Sequence, residues 1–168
     1  PDAHPAAPSA ISALLSGVMI KMGVYGLLRY LVWMMPISHH LRVWGEIVAL
    51  FGVVTLVICS VTAVMENDSK RMLAFSSMAQ MGYIWLGLGL GIAFTRVNPA
   101  LSAVGFLAGL YHVMNHACFK GLLFLNAGSL LRQMGTRDLG RMGGLLASMP
   151  VTAFSAVMAA LSISGLPP

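Results

Sequence analysis

The stretch Tyr111-His112-Val113-Met114-Asn115-His116-Ala117-Cys118-Phe119-Lys120 sits inside an otherwise apolar run from Ala100 to Leu131. His112, His116 and Lys120 recur every fourth residue. Each such step turns an α-helix by about 400°, so successive side chains drift by about 40° and share one face. The row extends roughly 12 Å along the helix axis. An ionisable group in a hydrocarbon layer costs a few kcal/mol, so such residues as a rule face a bundle interior and serve ion or proton paths. The stretch predicts a membrane helix with a titratable inner face.

Composition agrees. Hydrophobic residues make up 58% of the 168-residue chain and charged residues 9%, with a mean hydropathy of +0.83. A soluble domain carries about 25% charged residues, so length here counts membrane spans. The fold class is all-α, a polytopic transmembrane helix bundle. Apolar stretches of spanning length cover 9–35, 43–65, 72–94 and 100–131, with a half-span over 149–166. Together they read as a single partial transmembrane domain over 1–168, a piece of a longer polytopic protein. The closing Gly165-Leu166-Pro167-Pro168 combines a flexible residue with two that lack a backbone donor. Gly165, Pro167 and Pro168 therefore predict a helix break at membrane depth.

The net charge is +5, without basic runs or interleaved aromatic and basic residues. Nucleic acid is excluded as a partner on that ground, and membrane lipid takes its place. Lys70, Arg71, Arg132, Arg137 and Arg141 lie in the connections after the second and fourth spans; Arg42 and Arg96 lie in the other two. The bias places the loops 67–71 and 133–144 on one side, facing the cytoplasm or matrix.

Cys59 and Cys118 are far apart and no CxxC occurs. The chain alone assembles neither an iron–sulfur cluster nor a thiolate zinc site, and both cysteines read as inert packing residues. There is no phosphate-cradling glycine loop, nucleophile elbow or carboxylate pair. No cofactor is expected on this chain, and any redox chemistry is assigned to other subunits.

Four residues are candidate proton-relay groups. Lys21 lies mid-span, about twelve residues or roughly 18 Å from either end, beyond easy snorkelling reach. Desolvation disfavours its charged form and fits it to gain and release a proton. His112 and His116 titrate near neutrality and can pass a proton between ring nitrogens; Lys120 extends their row. The simpler role for the row is interhelical hydrogen bonding. The His112-xxx-His116 spacing also suits a metal, but Lys120 would repel a cation and that span holds no carboxylate. Glu46 reads as helix-start charge, Asp68 as a cap for the helix that follows, Arg137-Asp138 as a local pair, and His39 and His40 as loop residues. Tyr111 and Asn115 flank the row and are expected to lend it polar contacts.

At these residues the chain resembles the antiporter-like membrane proteins shared by respiratory complex I, membrane-bound hydrogenases and Mrp-type sodium/proton antiporters. The resemblance is carried by Asp68-Ser69-Lys70-Arg71-Met72-Leu73-Ala74-Phe75-Ser76-Ser77, by His112 to Leu125, by Thr136-Arg137-Asp138-Leu139 on to Gly143-Gly144-Leu145, and by Met149-Pro150 and the closing Gly165-Leu166-Pro167-Pro168. His4-Pro5-Ala6-Ala7-Pro8-Ser9, leading to Gly17-Val18-Met19-Ile20-Lys21, resembles most the formate hydrogenlyase and hydrogenase-4 branch. The resemblance implies an inverted-repeat fold with proton paths around broken helices. It matches Lys21 to a central-axis lysine, His112, His116 and Lys120 to a relay on one helix, and Pro167-Pro168 to a helix break.

The function so implied is proton translocation within a redox-driven complex of the membrane-bound hydrogenase or NADH:quinone oxidoreductase type. Its partners would be other membrane subunits and, through them, peripheral redox subunits. The alternatives are a non-pumping membrane scaffold and part of an Mrp-type sodium/proton antiporter. The expected location is the plasma membrane of a bacterium or archaeon.

Overall fold

A computed structural model describes residues 2–34 and 40–166. His39, Pro167 and Pro168 lie outside the described residues, so the two prolines of the expected break are not placed. The chain is helical, and among the described residues there is no strand beyond one isolated bridge between Asp68 and Asp138. A short α1 (Ala3–Ala6) leads into the first long helix. That helix runs through α2 (Ser9–Leu14), a π-helical turn at Leu15–Met19, α3 (Lys21–Leu28) and a second π-helical turn at Arg29–Met34. Then follow α4 (Leu41–Met65), α5 (Ser69–Phe94), α6 (Pro99–Met134), the short α7 (Leu145–Ser148) and α8 (Pro150–Ile163).

Helix ends follow local chemistry. The Asp68 carboxylate accepts from the backbone N–H of Lys70 and Arg71 at 2.9 and 3.0 Å, capping α5 as expected. Asn98 caps α6 by accepting from Leu101 N–H at 3.1 Å, with Pro99 at the first helical position, where no donor is needed. Past the end of α8, Gly165 has φ +73°; its N–H donates to Ser162 O, and the Leu166 N–H reaches back to Leu161 O. Those two bonds form a Schellman cap, so the chain turns at Gly165 before the prolines begin.

Three helices are long and apolar enough to cross a membrane: Ser9–Trp33, Leu41–Met65 and Ser69–Phe94. The expected fourth span forms a helix of 36 residues, but its polar row keeps it below the apolarity of those three.

The residues group into two compact units, and α4, α5 and α6 each contribute to both. One unit holds 20–59 and 78–114. Its core joins Val24, Met81, Ile84 and Leu88, and a second cluster joins Leu31, Leu41 and Ile92. Between helices in lipid the apolar driving force is weak, so association depends on close packing of small residues. The α4–α5 contact is of this kind: a Cβ on Gly82 would lie 2.6 Å from Gly52 O, and one on Gly89 2.5 Å from Ala49 N. Leu50, Phe51, Val54, Val57 and Ile58 of α4 remain exposed, as suits a lipid-facing surface.

The other unit holds 1–19, 60–77 and 115–168. Leu73, Phe124 and Ala127 form its core with Ala13, Met72 and Leu123 packed on them. The two basic loops meet here. Ser69 N–H donates to Arg137 O at 2.9 Å, Leu139 N–H donates to Asn67 O at 3.0 Å, and Arg137 pairs with Asp68 at 3.4 Å. Arg137 and Asp138 are thus not the local pair expected: Arg137 reaches across to Asp68, while Asp138 pairs with Arg141 at 3.3 Å. The bridge between the loops turns the two side chains to different partners.

The α4–α5 contact yields a prediction. Gly82→Ala forces a methyl against backbone and costs about 1–3 kcal/mol, read as a lowered unfolding midpoint of the full-length protein in detergent. Gly87→Ala, whose Cβ would lie 3.1 Å from the Gly109 nitrogen on α6, a tight contact short of overlap, costs less. Equal midpoints for both variants and the wild type would refute the close approach.

Candidate functional site

Of the four titratable candidates, the long α6 carries three. His116 and Lys120 have no exposed surface, and His112 is half-buried. The α6 helix is unbroken from Pro99 to Met134, so the one-turn spacing of the row is retained. Lys21 opens α3, one residue past the first π-helical turn, and is half-buried. Among the described residues no three His, Cys, Asp or Glu side chains gather as a metal site would require.

In the unit holding 20–59 and 78–114, the His112 ring nitrogen Nε2 lies 2.6 Å from Gln80 Oε1, and the Tyr83 ring lies 5.8 Å from the imidazole. With Gln80 presenting its carbonyl oxygen, Nε2 carries the hydrogen and donates. Tyr111 is 70% exposed and turned away from this contact, so the polar support comes from α5 instead.

In the unit holding 1–19, 60–77 and 115–168, His116 meets Phe119 edge-on with ring centroids 5.4 Å apart. The Lys120 Nζ donates to Ser76 Oγ at 2.7 Å and to Leu73 O at 3.3 Å. One turn further along α6 the row meets an apolar ring, Phe124, on which His4 stacks at 4.8 Å. The segment bearing His4 is fastened by three donors: Ser12 Oγ to His4 O, Lys70 Nζ to Ala7 O and Arg137 Nη1 to Pro5 O, at 3.1, 2.8 and 2.8 Å. Burial lowers the His4 pKa, and the positive charges of Lys120 and Lys70 add to the effect.

Sequence reading missed Ser76, Gln80 and His4. Ser76 and Gln80 stand four residues apart on α5, a second polar row facing groups of the first. The signal was present as two hydrogen-bonding residues at helical spacing within an apolar span, but neither titrates. His4 lies outside any span, and only tertiary structure brings its ring to Phe124. The cysteines also divide: Cys59 is buried as expected, whereas Cys118 is exposed.

The family described as NADH:quinone oxidoreductase/Mrp antiporter, transmembrane, matches residues 1–168. The chain belongs to that family. It is an integral membrane protein. It is 40% identical over 169 residues to hydrogenase-4 component B of Escherichia coli, covering all of this chain and 25% of that protein. It is 41% identical over 173 residues to a component of the Na(+)/H(+) antiporter of Alkalihalophilus pseudofirmus, covering all of this chain and 21% of that protein. A component of the Na(+)/H(+) antiporter of Staphylococcus epidermidis is 38% identical over 172 residues, again across the whole chain and 21% of the relative. The chain thus spans between a fifth and a quarter of the length of these curated relatives.

The α5–α6 polar contact is testable in the full-length protein. A double-mutant cycle of Gln80→Leu and His112→Leu gives a coupling of about 1 kcal/mol, the net value of one side-chain hydrogen bond. Strictly additive losses of stability would remove the contact.

Proposed function

We propose that this chain is the proton-relaying part of a membrane subunit in a redox-driven complex, of the membrane-bound hydrogenase or NADH:quinone oxidoreductase type. Lys21, His112, His116 and Lys120 are its relay groups. The observation that carries the reading is Lys120: a fully buried amine in a membrane protein, held by a hydroxyl and a carbonyl. A lysine kept for packing would bring a carboxylate or extend to the membrane surface. A lysine held only by neutral oxygens can take up a proton and give it away.

The relay works through spacing and hydration. His112, His116 and Lys120 follow one another by one turn, roughly 6 Å of axis each, and water bridges such gaps at little cost. His112 is oriented by Gln80, and Lys120 by Ser76 and Leu73. Other membrane subunits, and peripheral redox subunits beyond them, are the partners this reading requires. The relative named as a hydrogenase component supports it.

A second reading rests on the second relative. Identity to the Na(+)/H(+) antiporter component is equally high, which supports a sodium/proton antiporter built on the same relay. The driving force separates the two. Redox turnover acidifies or alkalinises proteoliposomes without sodium in the first case, and an imposed sodium gradient does so in the second. A scaffold that moves no ion gives neither response.

In the full-length protein within its complex, Lys120→Met lowers proton transport at least about tenfold, a barrier increase of about 1.4 kcal/mol. Assembly is retained. Lys21→Ala lowers transport likewise, and Lys21→Arg does not restore it, because a guanidinium stays protonated. Wild-type transport in both the Lys120→Met and Lys21→Ala complexes would falsify the relay.

A further inference from the structure

We propose that Ser76 is a positioning residue that holds Lys120 in place in both of its charge states. This deepens the relay reading and rests on it. The two groups receiving the amine are unlike. The Leu73 carbonyl only accepts, so it takes an N–H from ammonium and from neutral amine alike. The Ser76 hydroxyl, 2.7 Å from Nζ, has both roles. It accepts from the ammonium; after rotation about its Cβ–Oγ bond, it gives its hydrogen to the lone pair of the neutral amine.

Among the described residues no carboxylate pairs with Lys120. A carboxylate would favour the ammonium alone and hold the proton in place. An apolar residue at position 76 would leave the neutral amine without a donor. A hydroxyl serves both states with no change in heavy-atom positions, so the lysine keeps its place while its proton comes and goes.

A pair of serines, Ser16 and Ser77, meets the carbonyl end of this cradle. Ser77 Oγ donates to Leu73 O at 2.8 Å. Ser77 Oγ also lies 2.7 Å from Ser16 Oγ, and either hydroxyl can supply the hydrogen of that pair. Both serines are buried, and Ser16 lies in the π-helical turn Leu15–Met19. Such turns within α-helices recur at functional sites. A hydrogen-bonded chain thus joins Ser16, Ser77, the Leu73 carbonyl and Lys120, which also meets Ser76.

The test compares substitutions in the full-length protein within its complex, reconstituted in proteoliposomes at equal amounts of assembled complex. Ser76→Thr keeps the hydroxyl and retains at least about half of wild-type transport. Ser76→Ala lowers it about tenfold, the scale of one buried hydrogen bond. Ser76→Asp pins the ammonium and lowers it further. Ser76→Cys, close to serine in size but a weaker donor, falls between Thr and Ala and keeps the comparison open if the alanine variant does not assemble. Wild-type transport in Ser76→Ala or Ser76→Asp, with Lys120→Met inactive, overturns the role of Ser76 and leaves the relay standing. Equal loss in the Thr, Cys and Ala variants also overturns it, since the hydroxyl would then not matter. Wild-type transport in Lys120→Met overturns the relay, and this inference with it.

Discussion

An amine without exposed surface must find oxygen atoms, and the structure around Lys120 answers that demand. Burial without compensation costs several kcal/mol for a charged group and less, though still some, for a neutral one. The compensation comes from α5, through a backbone carbonyl at Leu73 and a hydroxyl at Ser76. That arrangement sets the register of α5 against the C-terminal half of α6, because only one turn of α5 presents both groups. Leu73 and Phe124 pack in the same unit, so the apolar contact and the polar one fix the same register.

The helix ends nearby are tied by charge. Lys70 and Arg137 each give a donor to a backbone carbonyl of the leading segment, Ala7 and Pro5 respectively. Arg137 also reaches Asp68, whose other oxygen caps α5. One acidic side chain therefore serves the helix start and the loop contact together. The segment held in this way lays His4 on Phe124, just where the titratable row of α6 turns apolar. Exposed ion pairs of this kind contribute little individually; here they are joined by backbone bonds between Asn67–Ser69 and Arg137–Leu139, which give the loop its fixed form.

Helix contacts in the remaining unit rest on absence of side chain. Gly45, Gly52, Gly82 and Gly89 bring α4 and α5 together backbone to backbone. At Gly91 the carbonyl accepts from both Ser102 and Thr95, at 2.7 and 3.0 Å, so close approach of α5 and α6 costs no buried hydroxyl its partner. Such packing leaves the large apolar residues of α4 pointing outward, consistent with a membrane protein whose driving force for association is fit rather than exclusion of water.

Much of this was determined by the sequence alone. Apolar run lengths, four-residue spacing and capping residues are local properties, so the long helices, the all-α membrane class and the Asp68 cap are legible without coordinates. The titratable row on α6 is legible for the same reason, since spacing along one helix is fixed by the backbone. What answers that row is not. Ser76 and Gln80 matter only because α5 packs against α6 at one register, and no local rule gives a register between two helices of small residues. The exchange of partners at Arg137 follows from a bridge between loops about seventy residues apart. The stacking of His4 on Phe124 depends on carbonyls of the leading segment meeting Lys70 and Arg137. Tertiary structure decided these because the free energy of a buried polar group lies in its partner, and the partner comes from another part of the chain.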